Sequence, residues 1–151
     1  MGNGRPFFAK LLSPKKRNVG LAKKSNLDEI MIHALRKIDH IPNGSIHFKS
    51  KINMRVSTKN NISSKKLKKL KQLVAVPIEI TDSNKHHKKT IHKLNYKKNS
   101  LQSFTVEIEA DGGIPIKRFV DGFNIIPNIS SLLGTQCSCE KFDINQIYLS
   151  K

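Results

Sequence analysis

Two cations, Lys117 and Arg118, stand side by side in Ala110-Asp-Gly-Gly-Ile-Pro-Ile-Lys-Arg-Phe-Val-Asp121, just after two glycines and a proline. Gly and Pro set fixed, tight backbone paths. A lysine held on such a path can meet a carboxylate or a phosphate at low ordering cost. Upstream, Phe104, Val106, Ile108 and Ala110 alternate with Thr105, Glu107 and Glu109, the period of a half-buried strand. The two cations are therefore expected on a turn at a strand end, where connecting segments tend to carry function. Within it, Lys117 is the residue expected to do chemistry, and Arg118 is expected to point away and serve phosphate or solvent. Asp111 and Asp121, which flank the stretch, are read as turn formers.

A second set of cations lies on an alternating segment. Ile46, Phe48, Ile52, Met54 and Val56 fall on one side and His47, Lys49, Lys51, Asn53 and Arg55 on the other, so one face is core and the other a cationic ladder. Such a ladder is either a solvated sheet face or a phosphate-binding one. Like charges two residues apart repel, and with no acidic partner in the segment a phosphate backbone would supply the missing charge. Cys137 and Cys139 are the only cysteines; zinc wants four ligands and no second pair exists, so they are read as core thiols of a strand. Of the six histidines, His86 and His87 sit in a lysine-rich stretch and the rest are scattered, so neither metal nor cofactor is expected.

These groups belong to a chain of 151 residues with a formal net charge of +17. That length suits a single domain, residues 1–151, with a modest core. The charge is uneven: residues 1–100 hold 24 Lys/Arg against 5 Asp/Glu, whereas residues 101–151 hold 4 against 6. An excess of this size attracts polyanions, nucleic acid first among them. No apolar run approaches the roughly 18 residues that span a bilayer, and Arg5, Pro6 and Lys10 stand where a signal peptide would be apolar. A cytoplasmic protein without membrane partners is expected.

The elements that position these residues follow from pattern. Phe7 to Leu12 reads as a strand ending at Ser13-Pro14, on an exposed sheet edge. Ser25-Asn26 caps a helix whose Leu27, Ile30, Met31, Ala34, Leu35 and Ile38 recur on one face, with Arg36 and Lys37 at its end. Ile41-Pro-Asn-Gly44 is a turn before the ladder strand. Asn60-Asn-Ile-Ser63 caps a second helix, Ser64 to Leu73, with Leu67, Leu70 and Leu73 inward and Lys65, Lys66, Lys68, Lys69 and Lys71 around them. Those lysines serve solubility or RNA contact, and the ladder is expected to outweigh them in binding. Val74 to Ile80 is a strand whose Pro77 suggests an edge or a bulge. Asp82 to Lys98, without an acid after Asp82, is a strand with a basic loop or a segment partly unordered without RNA. Pro127 to Gly134 is a short helix with a glycine stop, and Cys139 to Leu149 a closing strand. The fold class is α+β: a mixed, mostly antiparallel sheet with strands near Phe7, Phe48, Val76, Val106 and Ile144 and flanking helices.

Gly113-Ile-Pro-Ile-Lys-Arg-Phe-Val120, Pro127-Asn-Ile-Ser-Ser-Leu-Leu-Gly134 and Phe142-Asp-Ile144 resemble, in order, the C-terminal part of the archaeal and eukaryotic tRNA pseudouridine(54/55) synthases, and Gly2-Asn-Gly-Arg-Pro-Phe7 resembles the glycine-rich strand just after that family's catalytic aspartate. Between these blocks the likeness rests on basic positions near His87-Lys88-Lys89. The resemblance implies part of the pseudouridine synthase catalytic fold and isomerisation of a T-loop uridine without cofactor or metal. It makes Lys117 the basic partner of the aspartate, although Pro115 stands where the family more often has an aromatic residue. It puts Asn53 at the position of a base-packing tyrosine, and Arg5, Lys49, Lys51, Arg55, Lys88, Lys89 and Arg118 on RNA. Because the aspartate precedes Gly2-Asn-Gly-Arg-Pro-Phe7 in the family, the chain is expected to be a fragment or split subunit, inactive alone. Its expected partners are tRNA and a missing N-terminal half of the enzyme. The other reading is a non-catalytic basic module that binds tRNA or rRNA.

Overall fold

Odd-even alternations over residues 48–58 and 103–111 set the architecture, because each must bury one face. The computed structural model describes residues 9, 10, 12, 36–41, 47–83 and 85–149. Of the expected strand Phe7 to Leu12 only Ala9, Lys10 and Leu12 are described, none of them in a strand; the expected turn at 41–44 lies outside the described residues but for Ile41, as does the expected helix from Leu27 except at its end. There Arg36, Lys37 and Ile38 are irregular chain and exposed. Residues 47–149 belong to one compact unit.

They form β1 (Phe48–Thr58), α1 (Ser64–Leu67) running directly into a 3-10 helix (Lys68–Leu73), β2 (Pro77–Asp82), β3 (Lys85–Lys98), β4 (Ser103–Asp111), α2 (Ile116–Asp121), β5 (Ile125–Ile126), α3 (Ile129–Leu133) and β6 (Cys137–Leu149). The six strands make one sheet in the order β5-β2-β3-β4-β1-β6, every neighbouring pair antiparallel. The expected α+β class is thus the observed one. Of the two readings of 82–98 the strand is the observed one, and in place of a basic loop β3 runs for 14 residues. Asp82 faces Lys85 across a two-residue connection in which Ser83 has φ of 47°, the sign that tight hairpins require. β3 then continues past β2 to pair with β4.

One face of the sheet is covered and the other is open. On the covered face Ile52, Met54 and Val56 of β1 meet Phe104, Val106 and Ile108 of β4, Ile91 and Leu94 of β3, and Ile78 and Ile80 of β2, all at most 3% exposed. Leu67, Leu70 and Leu73 join the same core. Their spacing of three explains the 3-10 turns, since in that helix residues i and i+3 eclipse and form one buried row. Ser63 caps the start, its Oγ accepting from Lys66 N at 3.2 Å. Pro77 opens β2, a place where its missing N–H costs nothing. α3 is capped by Asn128, whose Oδ1 accepts from Ser131 N at 2.8 Å, and stopped by Gly134.

Candidate functional site

Gly112 lies at the end of β4 against the ring of Phe48, and its N–H donates to Phe48 O at 2.6 Å. A Cβ there would stand 2.3 Å from Phe48 Cε2, so only glycine lets the chain turn under the ring. Gly113 follows with φ of 92°. Its Cβ position is 3.8 Å from Lys89 Cε and Nζ, so Lys89 stands at this loop. Pro115 then starts α2, with Phe119 N donating to Pro115 O at 2.9 Å, and Gly122 ends it in the left-handed conformation. Lys117 and Arg118 therefore lie on a helix and not on a turn. Ile116, Phe119 and Val120, spaced i, i+3 and i+4, bury one side of that helix, a spacing that the reading of the segment as a turn passed over.

The two cations part there. Arg118, expected to reach phosphate or solvent, folds back instead. Its Nη1 donates to Asp82, Nη2 to Thr81 O at 2.9 Å and Nε to Phe123 O at 3.0 Å, and its guanidinium lies 5.6 Å from the Phe123 ring centroid. Asp82 is 36 residues away in sequence, which is why no local pattern exposes the pair. Lys117 is exposed and has no carboxylate partner among the described residues. A cation in the first turn of a helix is also unfavourable to the unpaired N–H groups there. Burial pushes the Cys139 thiol above its ordinary range, and the charge of Lys117 works against that shift.

Asn53 is not brought to Lys117. In β1 it alternates with the buried Ile52 and Met54, and its neighbours across the sheet are Glu107 of β4 and Asp143 of β6. The helix that carries Lys117 packs Ile116, Phe119 and Val120 into the core of the covered face. Asn53 and Lys117 thus stand on opposite faces of the sheet. Asn53 lines a shallow cleft of about 340 Å³ on the open face with Arg55, Asn99, Thr105, Lys141 and Asp143.

The ladder of that face was expected to lack acidic partners, and here the structure corrects the sequence. Lys51 pairs with Glu107 at 3.3 Å and Arg55 with Glu140 at 3.0 Å, and Lys49 lies opposite Asp111. Lys93 of β3 pairs with Glu109 at 3.0 Å; that hydrogen bond, opposed by slight desolvation and helped by nearby positive charge, holds the Glu109 carboxyl below its ordinary value. Asp111 is more than the turn former expected: Oδ2 accepts from Thr90 N and Oδ1 meets His92 Nε2, each at 2.8 Å. Asp121 does form a turn, accepting from Phe123 N at 2.9 Å. Cross-strand register supplies the acids, and it is not written in any one segment.

Of the other basic candidates, Lys88 pairs with Glu79 at 3.1 Å, Lys89 lies at the Gly113 loop, and Arg5 is outside the described residues. Lys71 is tied to Leu94 O and Asn95 Oδ1. Cys137 is buried, its thiol pushed up by burial, and Cys139 is half-buried; both are free. No cluster of metal-ligating side chains occurs among the described residues, and no helix there is long and apolar enough to cross a membrane.

The family model described as Pus10, C-terminal, matches residues 1–148. The protein of Cenarchaeum symbiosum (strain A) named tRNA pseudouridine synthase Pus10 is 35% identical over 150 residues, 99% of this chain and 37% of its own length. The protein of the same name in Nitrosopumilus maritimus (strain SCM1) is 38% identical over 148 residues, 97% of this chain and 39% of its own length. A third, from Korarchaeum cryptofilum (strain OPF8), is 22% identical over 171 residues, with 97% and 45% covered. The chain thus spans about two fifths of the length of these relatives. With nearly every residue matched, it belongs to the Pus10 C-terminal family.

Proposed function

We propose that the chain supplies the C-terminal part of the catalytic domain of a cytoplasmic tRNA pseudouridine synthase, which isomerises a T-loop uridine. The observation that carries this reading is the family match over residues 1–148, together with the names of relatives 35% and 38% identical to the chain. In this reading a nucleophilic aspartate comes from outside the 151 residues. Lys117, exposed and without a carboxylate among the described residues, pairs with it. A cation beside a carboxylate favours its ionised form. Lys89, at the loop that opens α2, adds positive charge beside the same site. Asn53, on the opposite face, takes no part. No metal or cofactor enters the reaction, and tRNA is the partner.

The test is detection of pseudouridine in a tRNA transcript incubated with the chain alone, and with the chain joined to the portion of the Nitrosopumilus maritimus relative that lies outside the match. The chain alone should form none, and the joined protein should modify the T-loop. Pseudouridine formed by the chain alone would place the nucleophile within these residues. A joined protein that binds tRNA without isomerising it would favour the non-catalytic module.

A further inference from the structure

Among the described residues, the cations of the open sheet face and those of the 64–73 helix differ in their partners. On the open face Lys51, Arg55 and Lys93 each have a carboxylate within 3.3 Å, while Lys49, Lys97 and Lys141, spread over three strands, pair with none among the described residues. On α1 and the 3-10 helix, by contrast, Lys65, Lys66, Lys68 and Lys69 are exposed and pair with no carboxylate among the described residues, and Lys59, just before the helix, is in the same state. No Asp or Glu occurs between Asp39 and Glu79, so the chain offers these lysines no local partner.

Their placement is fixed. Ile62, Leu67, Leu70 and Leu73 are at most 1% exposed and anchor the helix to the core. Ser63 caps its start and Lys71 ties its far end to β3. With leucines at i, i+3 and i+6 forming the buried row, Lys65 and Lys68 fall in one flanking row and Lys66 and Lys69 in the other, roughly 5 to 6 Å apart along the axis. Lysines three and four apart on a helix repel one another. Here the leucines hold them together regardless, and a polyanion laid along the ridge would relieve that repulsion without reordering the backbone. The paired cations of the open face would first have to give up their carboxylates.

We propose that this lysine ridge, Lys59 with Lys65, Lys66, Lys68 and Lys69, is where the domain holds the phosphate backbone of its RNA, and that the open sheet face is not. The inference rests on the reading of the chain as an RNA-acting domain and reverses the ranking that the sequence alone suggests.

The experiment measures binding of the 151-residue chain to a labelled tRNA transcript over a range of salt concentrations. It compares the unaltered chain with the ridge variant K65Q/K66Q/K68Q/K69Q and the open-face variant K51Q/R55Q. Four lost phosphate contacts should make the log–log salt slope shallower by about 3 and lower affinity at least tenfold near 0.1 M salt. The open-face variant should stay within about twofold of the unaltered chain. A ridge variant that binds like the unaltered chain overturns the inference and leaves the RNA reading standing. An equal loss in the open-face variant overturns it too, as does a ridge variant that loses affinity for phosphatidylserine vesicles but keeps it for tRNA. If the unaltered chain binds no tRNA, the RNA reading itself falls and the inference with it.

Discussion

At Arg118 a guanidinium gathers a carboxylate, two carbonyl oxygens and an aromatic ring, and so ties α2 to the end of β2. Its ion pair with the half-exposed Asp82 adds little by itself, whereas the carbonyls it satisfies are worth more. Arg118→Ala should therefore lower stability by about 1 to 2 kcal/mol and the Tm by several degrees, and an unchanged melting curve would show that the brace is idle. Gly112 offers a second residue-scale test. Gly112→Ala forces the Phe48 ring to move and should cost about 1 to 3 kcal/mol, while the same change in a Phe48→Ala background should cost clearly less; equal costs in both would place the strain elsewhere. Asp111 links the sheet to pH. Burial would raise its carboxyl, but the hydrogen bonds from His92 and Thr90 N and the charges of His92 and Lys89 leave it below its ordinary value of 3.8. A carboxyl depressed in the folded state adds stability that is present above its unfolded value and lost as pH falls through the folded one. The stability gap between the unaltered chain and Asp111→Asn, measured by urea unfolding, should hold at pH 6 and close as pH drops below about 4. A gap independent of pH would mean that the carboxyl's charge is not what braces β3 to β4.

Elements carry a different share of the account. Alternation gave away β1 and β4, because a strand with one buried face must repeat every second residue, whereas β6 shifts register twice against β1 and repeats less regularly. It also assigned the core face of β1 correctly, Ile52, Met54 and Val56 being nearly inaccessible. β3 was harder to read, since residues 85–88, paired with β2, are all exposed and only Ile91 and Leu94 sink into the core. Six residues of α2 are too few for a full periodic signal, and the Gly-Gly and Pro before it resemble a simple turn. In the helix at 64–73 the spacing of Leu67, Leu70 and Leu73 already held the 3-10 geometry. These leucines should dominate the element: Leu70→Ala, at a site with no exposure, should cost about 2 to 5 kcal/mol in denaturant unfolding. Leu101→Ala, 61% exposed in the β3–β4 loop, should cost little. Similar losses at both would mean that the helix is not anchored through its leucine row.

For the molecule as a whole, charge is sorted by face in a way that composition cannot convey. The net +17 predicted a polyanion partner and left open which cations would meet it. Glu79, Asp82, Glu107, Glu109 and Glu140 each neutralise a cation brought from another strand or helix, and only the folded register makes those matches. Among the described cations without such a match are Lys117, beside the Gly112–Gly113 loop, and Lys59, Lys65, Lys66, Lys68 and Lys69 at the 64–73 helix. Family membership and this residue-level sorting lead to the same expectation, that Lys117 is the chain's contribution to isomerisation. The direct measurement is turnover of a tRNA transcript by the joined protein described above, with and without Lys117→Ala. Leaving a desolvated carboxylate without its cation costs about 3 to 5 kcal/mol, and about 1.4 kcal/mol is a factor of ten in rate. Lys117→Ala should thus cut turnover at least about a hundredfold while tRNA affinity stays nearly unchanged. Full turnover in that variant, or a loss explained entirely by weaker tRNA binding, would contradict the role given to Lys117.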